Sequence, residues 1–310
     1  MTEQLSLFGD LPAVEPAQNS PLASPDIAET LERWPNLYLG TSSWSFPGWK
    51  DLVYARDYDK STLARSGLRA YSQVPIFRTV SLDRTYYRPM ETRGYARLRD
   101  QVSEDFRFVV KAPRALLEVG ALGLDIKAFE GEFLRPLREG LKQNLGVVLL
   151  QFPPGTLAEV GPGFTQALGR FLKALPQDIA YSLEVRDEAL LDASLQEAIQ
   201  GTSVALCASI HPALPTPEQQ LLRVSPTPGT PLVFRWNLRP SLSYSEALDH
   251  YQPFAALVAE DVARRGALAR LVARALEAGR VVYMTVNNKA EGCAPLSLAK
   301  FAKELNSQKP

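Results

Sequence analysis

The sequence predicts an α/β protein built as a single (β/α)8 barrel, the TIM-barrel architecture, preceded by a disordered N-terminal tail. Eight apolar segments have strand character, and helical patterns lie between most of them. This alternation is typical of a parallel sheet covered by helices, and eight units between residues 37 and 306 match a barrel in number and length. A doubly wound open sheet usually carries a glycine-rich phosphate loop after its first strand, and Gly40-Thr41-Ser42-Ser43 does not form one.

The eight strands are short apolar runs, and the helices show apolar residues at helical spacing. The predicted strands are 37–44, 76–82, 106–112, 146–152, 179–185, 203–208, 231–236 and 280–286. The predicted helices are 60–72, 91–101, 129–143, 163–174, 188–199, 256–278 and a last one from about Pro295. Residues 209–231 contain six prolines and no helical pattern, so we predict a loop over one rim of the barrel in place of a helix.

The N-terminal residues differ in composition from the rest of the chain. Residues 1–36 carry six acidic side chains against Arg33, and residues 9–36 contain five prolines. Such a composition buries little apolar surface, so residues 1–36 are predicted to be a flexible acidic tail and residues 37–306 the barrel. Because the whole chain has 34 basic and 34 acidic residues, residues 37–310 have a net charge of +5.

Composition also limits the compartment and the cofactors. The chain lacks both a long apolar run and a signal peptide, and its two cysteines cannot form a disulfide framework, so a cytoplasmic location without membrane attachment is expected. The two histidines are His211, close to the end of the sixth strand, and His250, predicted to lie in a surface loop. Neither has the spacing of metal ligands, so no metal and no other cofactor is expected.

Candidate site residues follow the strands, because a barrel opens to solvent at the carboxyl ends of its strands. Glu184, Asp83 and Lys111 are the candidate catalytic residues. The candidate ligand-binding residues are Ser43, Trp44, Tyr87, Arg114, Gln151, Arg186, Arg235, Asn237, Asn287 and Asn288. This polar ring has an excess of positive charge, which suits an anionic or hydroxyl-rich ligand such as a phosphorylated small molecule. Any one of these residues can equally be an ordinary polar residue at a strand end, and Glu184 could simply form a structural ion pair with Arg186 or Lys111 at the rim.

Lys111 allows two roles. It could act as a base if burial lowers its pKa, or bind phosphate as a fixed charge if its pKa stays high. The sequence alone leaves both open.

Several motifs resemble those of the DUF72 family, also called YecE-like proteins. They are GTSSWSFPGWKDLVY, FRFVVKAPR, LLQFPP, SLEVR and VNNKAEGCAP, which cover about residues 37–302 in order. The resemblance implies a (β/α)8 barrel without an established activity. The matched positions are Ser43, Trp44, Lys111, Pro113, Arg114, Gln151, Pro153, Glu184, Arg186, Arg235, Asn287 and Asn288.

The chain departs from the family pattern at three strands. Family members usually have Glu-x-Asn where this chain has Ser81-Leu82-Asp83, and an aspartate where the sixth strand here ends in Ser209. Arg-x-His-Gly in the seventh strand is replaced by Arg235-Trp236-Asn237-Leu238. If the missing groups carry out acid–base chemistry, this member is impaired or altered.

A short motif at residues 4–8 suggests a partner. Gln4-Leu5-Ser6-Leu7-Phe8 resembles the bacterial sliding-clamp binding motif, in which two apolar side chains fill a pocket and the glutamine binds its rim. One hypothesis is therefore a replication or repair accessory protein, or a hydrolase, that is recruited to the clamp. The other is a metal-independent hydrolase or isomerase that acts on a sugar or a phosphorylated metabolite.

Nucleic acid is a further possible ligand. Five arginines, with three tyrosines among them, lie in residues 84–99, a mixture that could hold phosphates and stack bases. A solvated helix face whose neighbouring acids partly cancel the charge is the simpler interpretation.

Overall fold

A computed structural model describes residues 13–118, 124–161 and 163–308 and confirms the fold class. Within these residues, eight parallel strands pair in sequence order and close into a barrel, with β1 against β8. The strands are β1 (Leu37–Thr41), β2 (Thr79–Leu82), β3 (Arg107–Lys111), β4 (Leu145–Phe152), β5 (Tyr181–Val185), β6 (Val204–Ile210), β7 (Leu232–Trp236) and β8 (Val282–Val286). Each lies on a predicted strand. The predicted α/β barrel is therefore correct in strand number and order.

The helices surround this barrel. They are α1 (Pro25–Arg33), α2 (Lys60–Ser72), α3 (Thr92–Arg99), α4 (Arg114–Leu117), α5 (Ile126–Ala128), α6 (Arg135–Leu141), α7 (Thr156–Val160), α8 (Phe164–Ala174), α9 (Ala193–Ile199), α10 (Pro217–Arg223), α11 (Tyr244–Tyr251), α12 (Val262–Glu277) and α13 (Ala294–Asn306). A π-helical turn, Phe129–Leu134, joins α5 to α6. None of the helices in the described ranges is long and apolar enough to cross a membrane.

Two sets of apolar side chains determine which strand residues face the barrel axis. One cluster contains Val109, Leu149, Cys207, Val233 and Tyr283 from five strands and fills the barrel interior. A much larger cluster lies between the strands and the helices. Because side chains alternate along a strand, the next inward positions towards the open end are Lys111, Gln151, Ser209, Arg235 and Thr285. The barrel interior thus changes from apolar to polar within two residues on most of these strands.

A close approach of backbones explains Gly40 in β1. A Cβ atom at this position would lie 1.9 Å from the carbonyl oxygen of Thr79 in β2. A side chain is therefore excluded just below the rim, where β1 and β2 pair.

The prediction of a flexible tail is wrong for residues 13–36. Pro16 forms a bridge with Tyr54, and the side chains of Leu22 and Ile27 are fully buried. Helix α1 packs against α13, where Thr30 Oγ1 donates to the carbonyl oxygen of Ala302 at 3.1 Å. The few apolar residues of this segment lie on one face of a short helix whose first residue is a proline. The average composition of residues 1–36 does not reveal this arrangement. Residues 1–12, with the motif at 4–8, lie outside the described residues.

Two predicted loops are also partly helical. Helix α10 forms inside the predicted 209–231 loop, where Thr216 and Gln219 make a capping box and Pro217 is the first helical residue. Helix α11 contains His250 and begins with a second capping box, between Ser243 and Glu246. In both cases local capping supports a short helix that lacks a long apolar pattern.

Candidate functional site at the open end of the barrel

Arg235 lies at the centre of an ion-pair network that joins three strand ends. Its Nη1 is 2.5 Å from Glu184 Oε2, and its Nη2 is 3.2 Å from Asp83 Oδ2. Arg186 adds a second cation, with Nη2 at 3.2 Å from Glu184 Oε1. The structure therefore brings together four of the predicted site residues, from β2, β5 and β7.

Glu184 is fully buried, and its carboxylate accepts hydrogen bonds from two more side chains besides the two arginines. Ser209 Oγ donates to Oε1 at 2.7 Å, and Asn237 Nδ2 donates to the same atom at 3.2 Å. Burial alone would raise the pKa of Glu184, but Arg235, Arg186 and the Ser209 hydroxyl outweigh it and hold that pKa well below its usual range. Glu184 is thus ionised at neutral pH and positions two arginines, a role that differs from proton transfer.

Lys111 lies at the end of β3 and is 8% exposed. Its Nζ is 3.7 Å from the centroid of the Tyr86 ring, and no carboxylate of the described residues lies within 4.0 Å of it. Burial, together with the charge of Arg235, lowers the pKa of Lys111 to about 8, although Asp83 and Glu184 oppose the shift. Lys111 is therefore mostly protonated at neutral pH but loses its proton more readily than an exposed lysine, so both roles that the sequence left open remain compatible with this geometry.

Three neighbours of the network were not among the predicted site residues. Lys289 follows β8, and its Nζ lies 4.3 Å from the Tyr244 ring; burial lowers its pKa to about 8, against the charge of Asp83. Burial and the charge of Arg186 lower the pKa of His211 to about 4, so its imidazole is neutral. Ser209 contacts Glu184 directly. Its place two residues after the inward Cys207 is the signal that could have identified it.

The three amides at the end of β4 and after β8 differ in their surroundings. Gln151 is buried and pairs in register with Glu184, and its Oε1 has no hydrogen-bond partner among the described residues. Asn287 Nδ2 donates to Ser42 Oγ at 2.8 Å and so joins the rim of β8 to that of β1. Asn288 Oδ1 instead accepts from the backbone N–H of Ala294 at 2.8 Å. That oxygen therefore caps the start of α13, whereas the buried Asn288 Nδ2 has no hydrogen-bond partner among the described residues.

The structure does not connect the remaining four predicted residues to the network. Trp44 is buried and donates through Nε1 to the carbonyl oxygen of Leu63, while Ser43 contacts Ser45. Tyr87 is 86% exposed. Arg114 forms an exposed ion pair with Glu118.

A cavity of about 460 Å³ opens beside the network, above the ends of β3 and β4. It is lined by Arg114, Leu117, Gln151, Phe152, Thr156 and Glu159 among others. Gln151 belongs to both the cavity and the polar ring, so the cavity lies to one side of the barrel axis. The described residues contain no group of three histidine, cysteine, aspartate or glutamate side chains that could hold a metal ion.

The fold and this rim define the class: a (β/α)8 barrel with a polar, cation-rich open end. Residues 38–310 match the family described as "Protein of unknown function DUF72", and the chain belongs to that family. It is 30% identical over 150 residues to the UPF0759 protein YecE of Escherichia coli K12 and to that of strain O157:H7. These 150 residues are 48% of this chain and 48% of each relative. The chain thus aligns with about half the length of these curated relatives.

Two solved structures share the fold. A DUF72 family protein of Thermotoga maritima has 23% identity and a TM-score of 0.60 and covers 87% of this chain and 98% of its own. A DUF72 family protein of Enterococcus faecalis V583 has 18% identity and a TM-score of 0.60 and covers 88% and 97%. Both support the barrel, and the family resemblance seen in the motifs is confirmed.

Proposed function

We propose that the open end of the barrel binds the phosphate group of a small, hydroxyl-bearing ligand. The observation that carries this proposal is the charge of the buried network. Arg186 and Arg235 pair with the carboxylates of Asp83 and Glu184, and the charge of Asp83 also acts on Lys111 and Lys289. With both lysines protonated, these six side chains have a formal charge of +2. A phosphate dianion would balance that charge, and it gains most from guanidinium and ammonium donors that are shielded from water.

The individual side chains suit this ligand. Arg186 is half-buried and uses Nε and Nη2 for Glu184, which leaves Nη1 for a ligand oxygen. The Gln151 carbonyl oxygen can accept a hydrogen bond from a ligand hydroxyl, which would satisfy a buried acceptor. The same pocket could serve a hydrolase or an isomerase that acts on a sugar phosphate, or bind without catalysis.

Binding of inorganic phosphate, measured by isothermal titration calorimetry, tests this proposal. We expect Arg186→Gln to weaken binding by about 1.5 kcal/mol, or roughly tenfold, because one charge-assisted hydrogen bond is lost. Arg97→Gln on the exposed face of α3 is the matched control and should leave the affinity unchanged. If Arg97→Gln weakens binding and Arg186→Gln does not, the phosphate site lies on the arginine-rich helix and the proposal is wrong.

We also propose that residues 4–8 bind the bacterial sliding clamp, which places the protein in the cytoplasm. Residues 15–17 are attached to the barrel: the backbone N–H of Ala17 donates to the carbonyl oxygen of Val53, and that of Ala55 donates to the carbonyl oxygen of Glu15. Residues 53–55 lie in the β1–α2 connection, at the open end of the barrel. Five peptide units separate Phe8 from Ala13 and span at most about 17 Å. A clamp held by the motif would therefore lie close to the rim.

Titration of the full chain with purified clamp tests this second proposal. We expect binding in the micromolar range that Leu7→Ala with Phe8→Ala abolishes, because both apolar anchors of the peptide are lost. Thr2→Ala with Glu3→Ala, outside the motif, is the matched control. Equal binding by the wild type and the Leu7/Phe8 variant would show that the motif is not the contact.

A further inference from the structure

We propose that Lys111 is an amine nucleophile that forms a Schiff base with an aldehyde or ketone group of the ligand. This inference rests on the proposed phosphate site, because the phosphate would hold the carbonyl group over β3. It extends the proposed function by naming the ligand class: a phosphorylated carbonyl compound, such as a sugar phosphate in its open-chain form.

The position of Lys111 carries the inference. The side chain is buried at an inward-facing position at the carboxyl end of β3, and barrel enzymes place their reactive groups at such strand ends. Its Nζ lies over the face of Tyr86 at 3.7 Å, with no carboxylate of the described chain within 4.0 Å. An aromatic face stabilises an ammonium group much less than a carboxylate does, so Lys111 can lose its proton and form the uncharged amine.

The charged groups around Lys111 act in opposite directions on its protonated form. Arg235 from β7 and Arg186 after β5 disfavour a third positive charge, while Asp83 and Glu184 favour it. Both carboxylates are already paired with Arg235, so their effect on Lys111 is partly neutralised. A lysine held in a desolvated site beside cations is the usual form of an activated lysine nucleophile.

The chemistry balances without a further reactant. The amine nitrogen forms a bond to the carbonyl carbon, and one amine proton passes to the carbonyl oxygen, which gives a carbinolamine. Loss of that hydroxyl with the second amine proton as water leaves a carbon–nitrogen double bond. Gln151 lies on the neighbouring strand, one inward position further towards the open end, and its unpartnered Oε1 is an acceptor for the carbinolamine hydroxyl.

Lys289 is the competing amine in the same region. It is only half-buried and belongs to the segment after β8, so a carbonyl group bound over β3 would be nearer to Lys111. Peptide mapping separates the two residues.

The experiment traps the imine with borohydride. The full chain is incubated with pyridoxal 5′-phosphate, an aldehyde that carries a phosphate group, then reduced with sodium borohydride and mapped by mass spectrometry. We expect one dominant adduct on Lys111 of the wild type and its loss in Lys111→Arg. Lys173→Arg on the exposed face of α8 is the matched control and should keep the adduct. Mapping of the wild type is decisive even if Lys111→Arg folds poorly.

Two further arms separate this inference from the phosphate site on which it rests. Pyridoxal lacks the phosphate group, and inorganic phosphate should compete with pyridoxal 5′-phosphate. If pyridoxal labels Lys111 equally and phosphate does not protect it, the amine is reactive and the phosphate-site proposal fails. If phosphate binds in the calorimeter but the adduct is absent from Lys111, or lies on Lys289 or surface lysines instead, the Schiff-base inference is overturned.

Discussion

Replacement of Glu184 by glutamine is expected to lower the free energy of unfolding by about 3 to 5 kcal/mol at neutral pH. The substitution keeps the shape of the side chain but removes the charge that faces Arg235 Nη1 at 2.5 Å. Arg235 is 3% exposed, so water cannot replace the lost carboxylate. Chemical denaturation of the wild type and the variant measures the difference.

A matched control separates the buried pair from an ordinary ion pair. Glu188 lies four residues further along the chain and forms an exposed pair with Arg223 at 2.9 Å. Glu188→Gln should cost less than about 1 kcal/mol, because solvent screens that pair. Equal losses in the two variants would mean that the rim network contributes no more than a surface contact.

A second variant tests whether the penalty comes from the uncompensated charge. Glu184→Gln combined with Arg235→Met should be less destabilised than the sum of the two single variants, because each single variant leaves the other buried ion with one partner fewer, whereas the double variant removes both ions. The contribution of Glu184 to the free energy of unfolding also depends on pH, and the direction follows from its pKa. The pKa of Glu184 is lowered by folding, so its contribution is present above the unfolded carboxyl pKa and disappears as the pH falls through the folded value. The difference between wild type and variant should therefore shrink in acid.

The affinity for sulfate is expected to fall on the order of tenfold between pH 7 and pH 9.5. Sulfate keeps its charge over this range, whereas Lys111 and Lys289 each have a pKa lowered to about 8 and lose their positive charges. One charge-assisted hydrogen bond to an anion accounts for about 1.5 kcal/mol, or roughly tenfold. Calorimetric titrations at several pH values measure this change.

Variants of the two lysines identify the source of that pH dependence. Lys111→Met keeps most of the apolar stem and should remove part of the pH dependence, and adding Lys289→Met should flatten the profile. Lys173→Met, at an exposed position, should leave it intact. An affinity that stays constant up to pH 9.5 in the wild type would contradict the assignment of Lys111 and Lys289 to the anion site.

The two proposals, clamp binding by residues 4–8 and phosphate binding at the rim, are linked only if residues 15–17 keep their hydrogen bonds with residues 53–55 when the clamp binds. The described contacts place those hydrogen bonds at the open end of the barrel, which connects the two proposals in space. Each proposal nevertheless has its own experiment, and either can fail without the other.

The sequence by itself determined the barrel and most of its rim. Eight apolar runs predicted the eight strands, because a parallel strand is buried on both faces and so reads as a continuous apolar segment. The position of Asp83, Lys111, Glu184 and Arg235 at the carboxyl ends of such runs was enough to place them at one end of the barrel, since all strands of a barrel point the same way.

Only the tertiary structure decided what those residues do there. Distances across the barrel made Glu184 a partner of two arginines and left Lys111 without a carboxylate, because strands far apart in sequence meet around one axis. The burial of Ile27 likewise depends on partners that are distant in sequence. The helix Pro217–Arg223 depends on a few polar contacts at its first turn. Burial sets the pKa of Lys111, and burial is a property of the assembled barrel that no local stretch of sequence contains.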